Sequence, residues 1–390
     1  MLTWDVAVVG GGIAGSTAAA LLAQSGLRVL LLEKGSWPRQ KVCGEFLSPE
    51  GVDVLSRLGV WRRLEAHRPQ RIHTFVLSTR GGETRRHLLL PAWGVSRWVL
   101  DHQLWEHAQT LGVVAWARSP AVQLMGDYER GFSLTLQQPG RPSQHIQARA
   151  VVCAAGRHWR PHVEPRTTRA SRRPAFVGLK AHFRGVQLEG RVELHAVQQG
   201  YCGLVEVDGD AANLCCWVQT DALRLAGGTP QHFLTSALRQ NACLRARLHE
   251  AKPLDSAWTA VSYTYRRLPT PVQDGIWHVG DSAAMVAPLT GDGMGMGLRS
   301  AELAATIMQA AFRQELTWER AAAEYERRWR QAFLPRLRWG RCLEAMLLRP
   351  PLANLACLAL DLAPRLMDAM YRRTREITPV VRYFGETGLP

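Results

Sequence analysis

Asp5-Val6-Ala7-Val8-Val9-Gly10-Gly11-Gly12-Ile13-Ala14-Gly15 joins a short apolar strand to a helix-like stretch through three consecutive glycines. The spacing Gly10-x-Gly12-x-x-Gly15 gives each of its glycines a separate task. Gly10 permits the tight turn, Gly12 lets the backbone approach a pyrophosphate, and Gly15 allows the helix to pack close to the strand. The helix start at Ile13 and Ala14 offers unpaired N–H groups and the positive end of the helix dipole to phosphate oxygens. Val29–Leu32 is the next buried strand, closed by Glu33 and Lys34. Glu33 stands 23 positions beyond Gly10, where a carboxylate reaches the hydroxyls of an adenosine ribose and Lys34 flanks the same nucleotide half. This βαβ start predicts a dinucleotide-binding fold.

A second glycine-rich segment decides which dinucleotide. The buried strand Ile276–Val279 runs into Gly280-Asp281, and Pro288-Leu289-Thr290-Gly291-Asp292-Gly293-Met294-Gly295-Met296-Gly297 then opens a helix read over Leu298–Phe312. Asp281 can accept hydrogen bonds from a polyol chain, which FAD carries and NAD lacks. The glycines let a planar ring lie against the backbone at Gly293 and Met294, and a helix start favours negative charge on a reduced flavin. The dinucleotide lobe therefore starts at the amino terminus, is interrupted, and is completed near residue 315.

Between the two segments the pattern changes. Ser48–Leu58 reads as a helix with a serine cap and Pro49 in its first turn, and Ser96–Leu111 reads as a second helix. Strands are expected over 69–90, Ala175–Phe183, Arg191–Ala196 and Asn213–Val218. The expected fold class is α/β, with a Rossmann-like FAD-binding lobe of the glutathione-reductase type, formed by residues 1–68, 96–165 and 270–315. A β-rich substrate lobe is inserted, from 69–95 and 166–269, and 316–390 form a helical carboxyl-terminal cover.

Four motifs taken together carry a resemblance: the amino-terminal fingerprint, Arg39-Gln40-Lys41-Val42-Cys43-Gly44-Glu45, Ser96-Arg97-x-x-Leu100-Asp101, and the Gly280–Gly297 segment. In order and spacing they resemble the geranylgeranyl reductase group, within the flavoprotein superfamily of p-hydroxybenzoate hydroxylase and the flavin-dependent halogenases. The resemblance implies that Glu33 binds ribose, Arg97 helps hold the FAD phosphates, and Asp281 binds the diphosphate–ribityl region. It also puts Gly293 and Met294 at the flavin ring, Val122 and Ala155-Gly156 near the adenosine half, and Cys43 beside the flavin. Cys43 is the candidate catalytic residue, as a proton gate or substrate contact; a small packing residue is the other reading of the same position. Ala155-Gly156-Arg157 replaces the Asp-Gly of the hydroxylase branch, and the halogenase WxWxIP segment is absent. The prenyl-type Tyr-x-Trp-x-Phe-Pro stretch has Tyr201-Cys202-Gly203-Leu204-Val205-Glu206 in its place.

The implied activity is that of an FAD-dependent oxidoreductase using NAD(P)H as electron donor on a hydrophobic, isoprenoid- or polyketide-like substrate. Reduction of a C=C bond is favoured over hydroxylation of an aromatic metabolite. A net charge of +15 raises the question of nucleic acid, but the arginines are dispersed, with no zinc-finger spacing and no compact basic run. No nucleic-acid partner is expected. An anionic membrane surface or an acidic carrier protein fits the charge better. The eight cysteines show no CxxC pair or metal spacing and read as reduced thiols of a cytoplasmic protein, with peripheral membrane contact left open. His158 and His278 have no metal or triad spacing. Trp329–Tyr371 mixes Trp, Leu and Met with arginines at helical spacing, which suits a channel cover, a membrane-surface helix or an ordinary packed helix.

Overall fold

The computed structural model describes residues 3–156, 175–255, 257–263 and 269–376. Arg157, His158 and the expected lobe boundary at 165/166 lie outside them. Among the described residues the strands form two sheets.

The first sheet is built around Thr3–Val9, which pairs in parallel with Val29–Leu32 on one side and Gln144–Cys153 on the other. Val114–Trp116 extends it beyond Val29–Leu32, and Ile276–His278 joins Gln144–Cys153 in parallel. Such strands are near-continuous apolar runs because both faces are covered. Val6 and Val8 share one core with the helices Ile13–Gln24 and Gly293–Phe312. Ala7 and Val9 share another with the hairpin Ala121–Asp127/Gly131–Leu136. The late strand Ile276–His278 therefore returns to the amino-terminal sheet. That return brings Asp281 to the same sheet edge as Gly10.

The second sheet runs in the order Lys252–Pro253, Phe176–Arg184, Ala211–Gln219, Gly200–Val207, Arg191–Val197, Gln70–Thr79, Gly82–Gly94 and Phe46–Leu47. Thr259–Tyr263 pairs with Phe176–Arg184 outside that path. A parallel pairing of Arg191–Val197 with Gln70–Thr79 joins segments far apart in sequence. One face packs on the helices Pro230–Gln240 and Ala242–Leu248 through Phe233, Ala237 and Leu244. The other carries Leu77, Leu194, Tyr201 and Trp217 and packs against the carboxyl-terminal helices.

Those helices are Trp318–Leu347, Pro350–Leu362 and Arg365–Thr374. The longest is fastened to the first sheet by Tyr325, which donates to the His278 carbonyl at 2.7 Å and stacks on Trp277. Among the described residues no single helix is long and apolar enough to cross a membrane.

Two local expectations need correction. Ser48 is the N-cap of Pro49–Arg57, but its hydroxyl accepts no capping bond; Ser96 does cap Arg97–Thr110, accepting from the Val99 N–H at 3.1 Å. The ring-side helix begins at Gly293, not Leu298. Glycine disfavours helix in isolation; here Gly297 lies beside Ala14 and Gly280, and a Cβ on Gly297 would make an ordinary 3.8 Å contact with Ala14. Finally, the segment expected to be β-rich also contains the helices Thr220–Leu225, Pro230–Gln240 and Ala242–Leu248, for which no expectation was made.

Candidate active site

A cavity of about 700 Å³ runs from the carboxyl ends of the parallel strands to one face of the second sheet, the place where open α/β sheets bind ligands. At its first end Gly10 adopts φ +108°, and a Cβ there would lie 2.4 Å from the Ala154 carbonyl oxygen. A Cβ on Gly15 would lie 1.8 Å from the Gly10 oxygen. Gly12 differs: its backbone is extended, and the nearest atom to an added Cβ is Lys41 Nζ at 2.9 Å. Ile13 and Ala14 follow it along the cavity wall. A bare backbone facing a cation across open space fits an anion such as a pyrophosphate.

Glu33 is buried beside this turn. Its Oε2 accepts the Gly11 N–H at 3.0 Å, while Oε1 accepts the Gly35 N–H at 2.8 Å and pairs with Arg39 at 2.8 Å. A carboxylate has roughly four acceptor positions, so these contacts orient it and leave room for one ribose hydroxyl. Lys34, Ala155 and Gly156 line the same end. Val122 is exposed, and the wall there is formed by Ser119, Pro120 and Ala121. Val122 sits at a register irregularity between Ala121 and Gln123, and it is 44% exposed.

Arg97 lies across from the glycine turn, held by a two-pronged contact with Asp101 at 2.9 and 3.0 Å. Burial works against its charge, but Asp101 outweighs this and holds the guanidinium cationic. Lys41 sits 3.8 Å from the same carboxylate and over the Trp37 ring. Burial pulls its ammonium down to about 8, with Asp101 opposing and Arg97 and Arg39 adding to the fall. An anion bound opposite Gly12 would stabilise protonated Lys41. FAD affinity is therefore expected to be full below pH 8 and to weaken above it, by up to about tenfold per pH unit. Flavin-fluorescence titrations from pH 7 to 9 check this, with Lys41→Met expected to flatten the profile.

The second end is built by the returning strand. Gly280 adopts φ +59° and donates its N–H to Ser300 Oγ at 2.9 Å, bending the chain so that Asp281 is exposed on the cavity wall. Gly291, at φ +65°, turns the chain into Gly293–Phe312; Gly293 is exposed to the cavity and Met294 is buried behind it. Beneath this helix start lies a buried cluster that sequence reading missed. Arg336 reaches Glu50 at 2.8 and 3.1 Å and Asp292 at 3.3 Å. Burial would raise the Glu50 carboxyl, but Arg336 holds it below its ordinary range. Burial, and then Glu50, pushes Asp292 well above its own. The pair thus carries one negative charge against one guanidinium.

Cys43 is half-buried on the cavity wall, and its Sγ accepts the Glu45 N–H at 3.4 Å. The loop carrying it is pinned by a second missed cluster. Glu45, at φ +57°, bonds Lys180 Nζ through one oxygen and His182 Nε2 at 2.8 Å through the other. Lys180 also donates to Gln40 Oε1 at 2.9 Å and to the Lys41 carbonyl at 3.2 Å. Burial would raise the Glu45 carboxyl, but the ammonium and the imidazole hold it low; burial would lower His182, but Glu45 raises it. The available sequence signal is Lys180 itself, a lone cation inside the apolar run Phe176–Phe183.

Beyond Cys43 and Met294 the wall is mostly apolar, formed by Leu194, Tyr201, Trp217 and Tyr263 of the second sheet and by Met367 and Tyr371 of the last helix, with Arg375 over the Tyr371 ring at 4.4 Å. Trp217 stacks on Phe176 at 5.1 Å and meets Tyr263 edge-on at 4.2 Å.

Residues 3–332 match a family model described as FAD binding domain. The chain is 26% identical over 368 residues to a tryptophan 2-halogenase of Chondromyces crocatus, covering 86% of this chain and 66% of that protein, slightly under two thirds of its length. It is also 26% identical over 371 residues to digeranylgeranylglycerophospholipid reductase 1 of Methanopyrus kandleri, covering 89% and 91% of the two chains. Among solved structures it superposes on the myxobacterial chondrochloren halogenase CndH with a TM-score of 0.80 at 19% identity, over 97% of this chain and 92% of the other.

Proposed function

The chain belongs to the FAD binding domain family, and from that premise we propose that it is an FAD-dependent oxidoreductase acting on an apolar, isoprenoid- or polyketide-like substrate, with NAD(P)H as electron donor. The observation that carries this reading is the continuity of one cavity from the Gly10–Gly15 turn, past Asp281 and Gly293, to the apolar wall of Leu194, Trp217 and Met367. FAD, when bound, supplies two-electron transfer between a hydride donor and an organic substrate. The protein's share is binding, orientation and exclusion of water. Gly12, Lys41 and Arg97 would hold the diphosphate, Glu33 the ribose and Asp281 the polyol chain. Cys43 and Met294 stand where the cofactor end of the cavity meets its apolar end. An apolar pocket with few polar groups is the usual design for such a ligand.

C=C reduction is the favoured chemistry, supported by the Cys43-Gly44-Glu45 match and by the reductase relative aligned over nearly the whole of both chains. Hydroxylation of an aromatic metabolite is the second reading, and the stacked Phe176–Trp217 pair with Tyr263 supports it, since such a wall suits a flat ring.

The test is to reduce the protein with NAD(P)H without oxygen and then add a polyprenyl compound or a phenol. A reductase reoxidises with the polyene anaerobically and yields a saturated bond; a hydroxylase waits for oxygen and incorporates it. Trp217→Ala and Cys43→Ala are expected to keep FAD while losing at least about tenfold in substrate turnover. Normal turnover in both variants would remove the substrate assignment for this wall.

A further inference from the structure

The helix Pro350–Leu362 is apolar on two opposite sides. Ala353, Cys357 and Leu360 face inward and pack in the core shared with Leu77 and Leu194. Leu355, Leu358 and Leu362 face outward, at 60%, 53% and 78% exposure, Leu352 adds to the same stripe, and Leu366 is exposed at the start of the next helix. At 100° per residue, positions 352, 355, 358 and 362 fall within one third of the helix circumference, opposite the buried side. Scattered exposed leucines are ordinary. Four leucines on one face of a helix of 13 residues are a patch, and patches of this kind mark interaction surfaces.

The charges around the patch indicate what covers it. Arg349, Arg365, Arg372 and Arg373 are exposed along the two helices that carry the leucines. Asp361, the acid nearest the stripe, is directed to the protein, where it accepts from Thr84 and Arg86, both at 2.6 Å. Leucines flanked by solvent-facing arginines match a bilayer interface. The leucines reach the acyl boundary while the guanidiniums remain among phosphates. An acidic protein would satisfy the arginines, but would also have to present an apolar groove matched to the leucine stripe, which a bilayer supplies without a matched shape.

We propose that the face formed by Pro350–Leu362 and the start of Arg365–Thr374 docks the protein on an anionic lipid surface. Its position has a consequence for the cavity. Met367, Met370 and Tyr371 of the adjoining helix line the apolar end, so docking through this face would bring the helix that walls the cavity against the bilayer. What that means for a substrate rests on the reading above; the docking itself does not.

The experiment uses the full chain and sucrose-loaded vesicles of phosphatidylcholine, with or without phosphatidylglycerol. The wild-type protein is expected to sediment with the anionic vesicles and to remain in solution with the neutral ones. Leu355→Gln/Leu358→Gln/Leu362→Gln, which leaves the net charge unchanged, and, separately, Arg365→Glu/Arg372→Glu are each expected to lower partitioning about tenfold or more. FAD content, which depends on the other end of the molecule, should stay unchanged in both. No sedimentation of the wild type overturns the proposal. So does loss in the arginine variant alone, which means charge adsorption without insertion of this face. A wild-type dimer that the leucine variant converts to monomer in velocity sedimentation, without vesicle binding, gives the face to a second copy and also overturns it. Failure of the turnover test with vesicle binding intact removes the substrate reading and leaves the docking face standing.

Discussion

Gly12→Val is expected to abolish retention of FAD while leaving the protein folded. The glycine has extended backbone, which a β-branched residue adopts without strain, and among the described residues beyond its chain neighbours an added Cβ comes within 4 Å of the flexible tip of Lys41 alone. The variant therefore meets no packing obstacle in the apo fold. The two γ-methyls would fill the gap between the helix start and Lys41 where the pyrophosphate approaches, and would push the ammonium aside. Losing that approach should weaken FAD by at least about a hundredfold, roughly 3 kcal/mol. Released flavin measured after denaturation checks the loading, and far-UV circular dichroism checks the fold. The neighbouring glycines supply the contrast. A side chain at Gly10 or Gly15 meets backbone at 2.4 and 1.8 Å, so Gly15→Val should be recovered poorly or not at all. If Gly12→Val retains flavin at the wild-type level, the phosphates lie elsewhere and the site assignment fails with them.

The contrast between these glycines also shows what could be read in the sequence. Gly10, Gly12, Gly15 and Glu33 act within one βαβ unit, so their geometry follows from local spacing, and the strand–turn–helix frame around them is as expected. The return of Ile276–His278 to the same sheet was equally legible, because a buried strand followed by a glycine-rich helix start needs a sheet to join. What escaped were the side-chain clusters assembled across distance. Glu45 meets Lys180 and His182 more than 130 positions away, and Arg336 meets Glu50 at a separation of 286. No periodicity encodes such a pairing. Its only trace is a charge inside an apolar stretch, Lys180 in a strand and Arg336 on the inner face of a helix. The helices at 220–248 escaped for a different reason: they cover one face of the second sheet, and their short apolar stretches resemble strand segments until that face is known.

Arg336→Met tests the longest of these connections and should be among the most destabilising single changes in the molecule. Arg336, Glu50 and Asp292 are 5%, 2% and 0% exposed, and they join three elements: the long carboxyl-terminal helix, Pro49–Arg57 and the start of Gly293–Phe312. Methionine replaces the aliphatic stem and removes the charge, leaving Glu50 ionised in the interior or forcing it to take a proton. Removing one partner of a buried pair typically costs about 3–5 kcal/mol, because the charge left behind has neither water nor a counter-ion. The pH dependence follows from the same argument. Glu50 is held below its ordinary value of 4.5 in the intact cluster, so its contribution is present above that pH and is lost as pH falls through the depressed value. In the variant, burial is opposed only by the hydrogen bonds from Asp292 and the Glu376 N–H and the carboxyl rises, so the deficit relative to wild type should be largest at neutral pH and shrink toward pH 4.5 and below. Urea denaturation at pH 7 and pH 4 measures both ends. Glu50→Gln in the Arg336→Met background should recover part of the loss at pH 7, since it removes the unpaired charge while keeping its shape. Equal urea midpoints for Arg336→Met and wild type at pH 7 would show that the cluster holds nothing together. A deficit that does not shrink in acid would assign the loss to packing of the guanidinium stem, with the charge irrelevant.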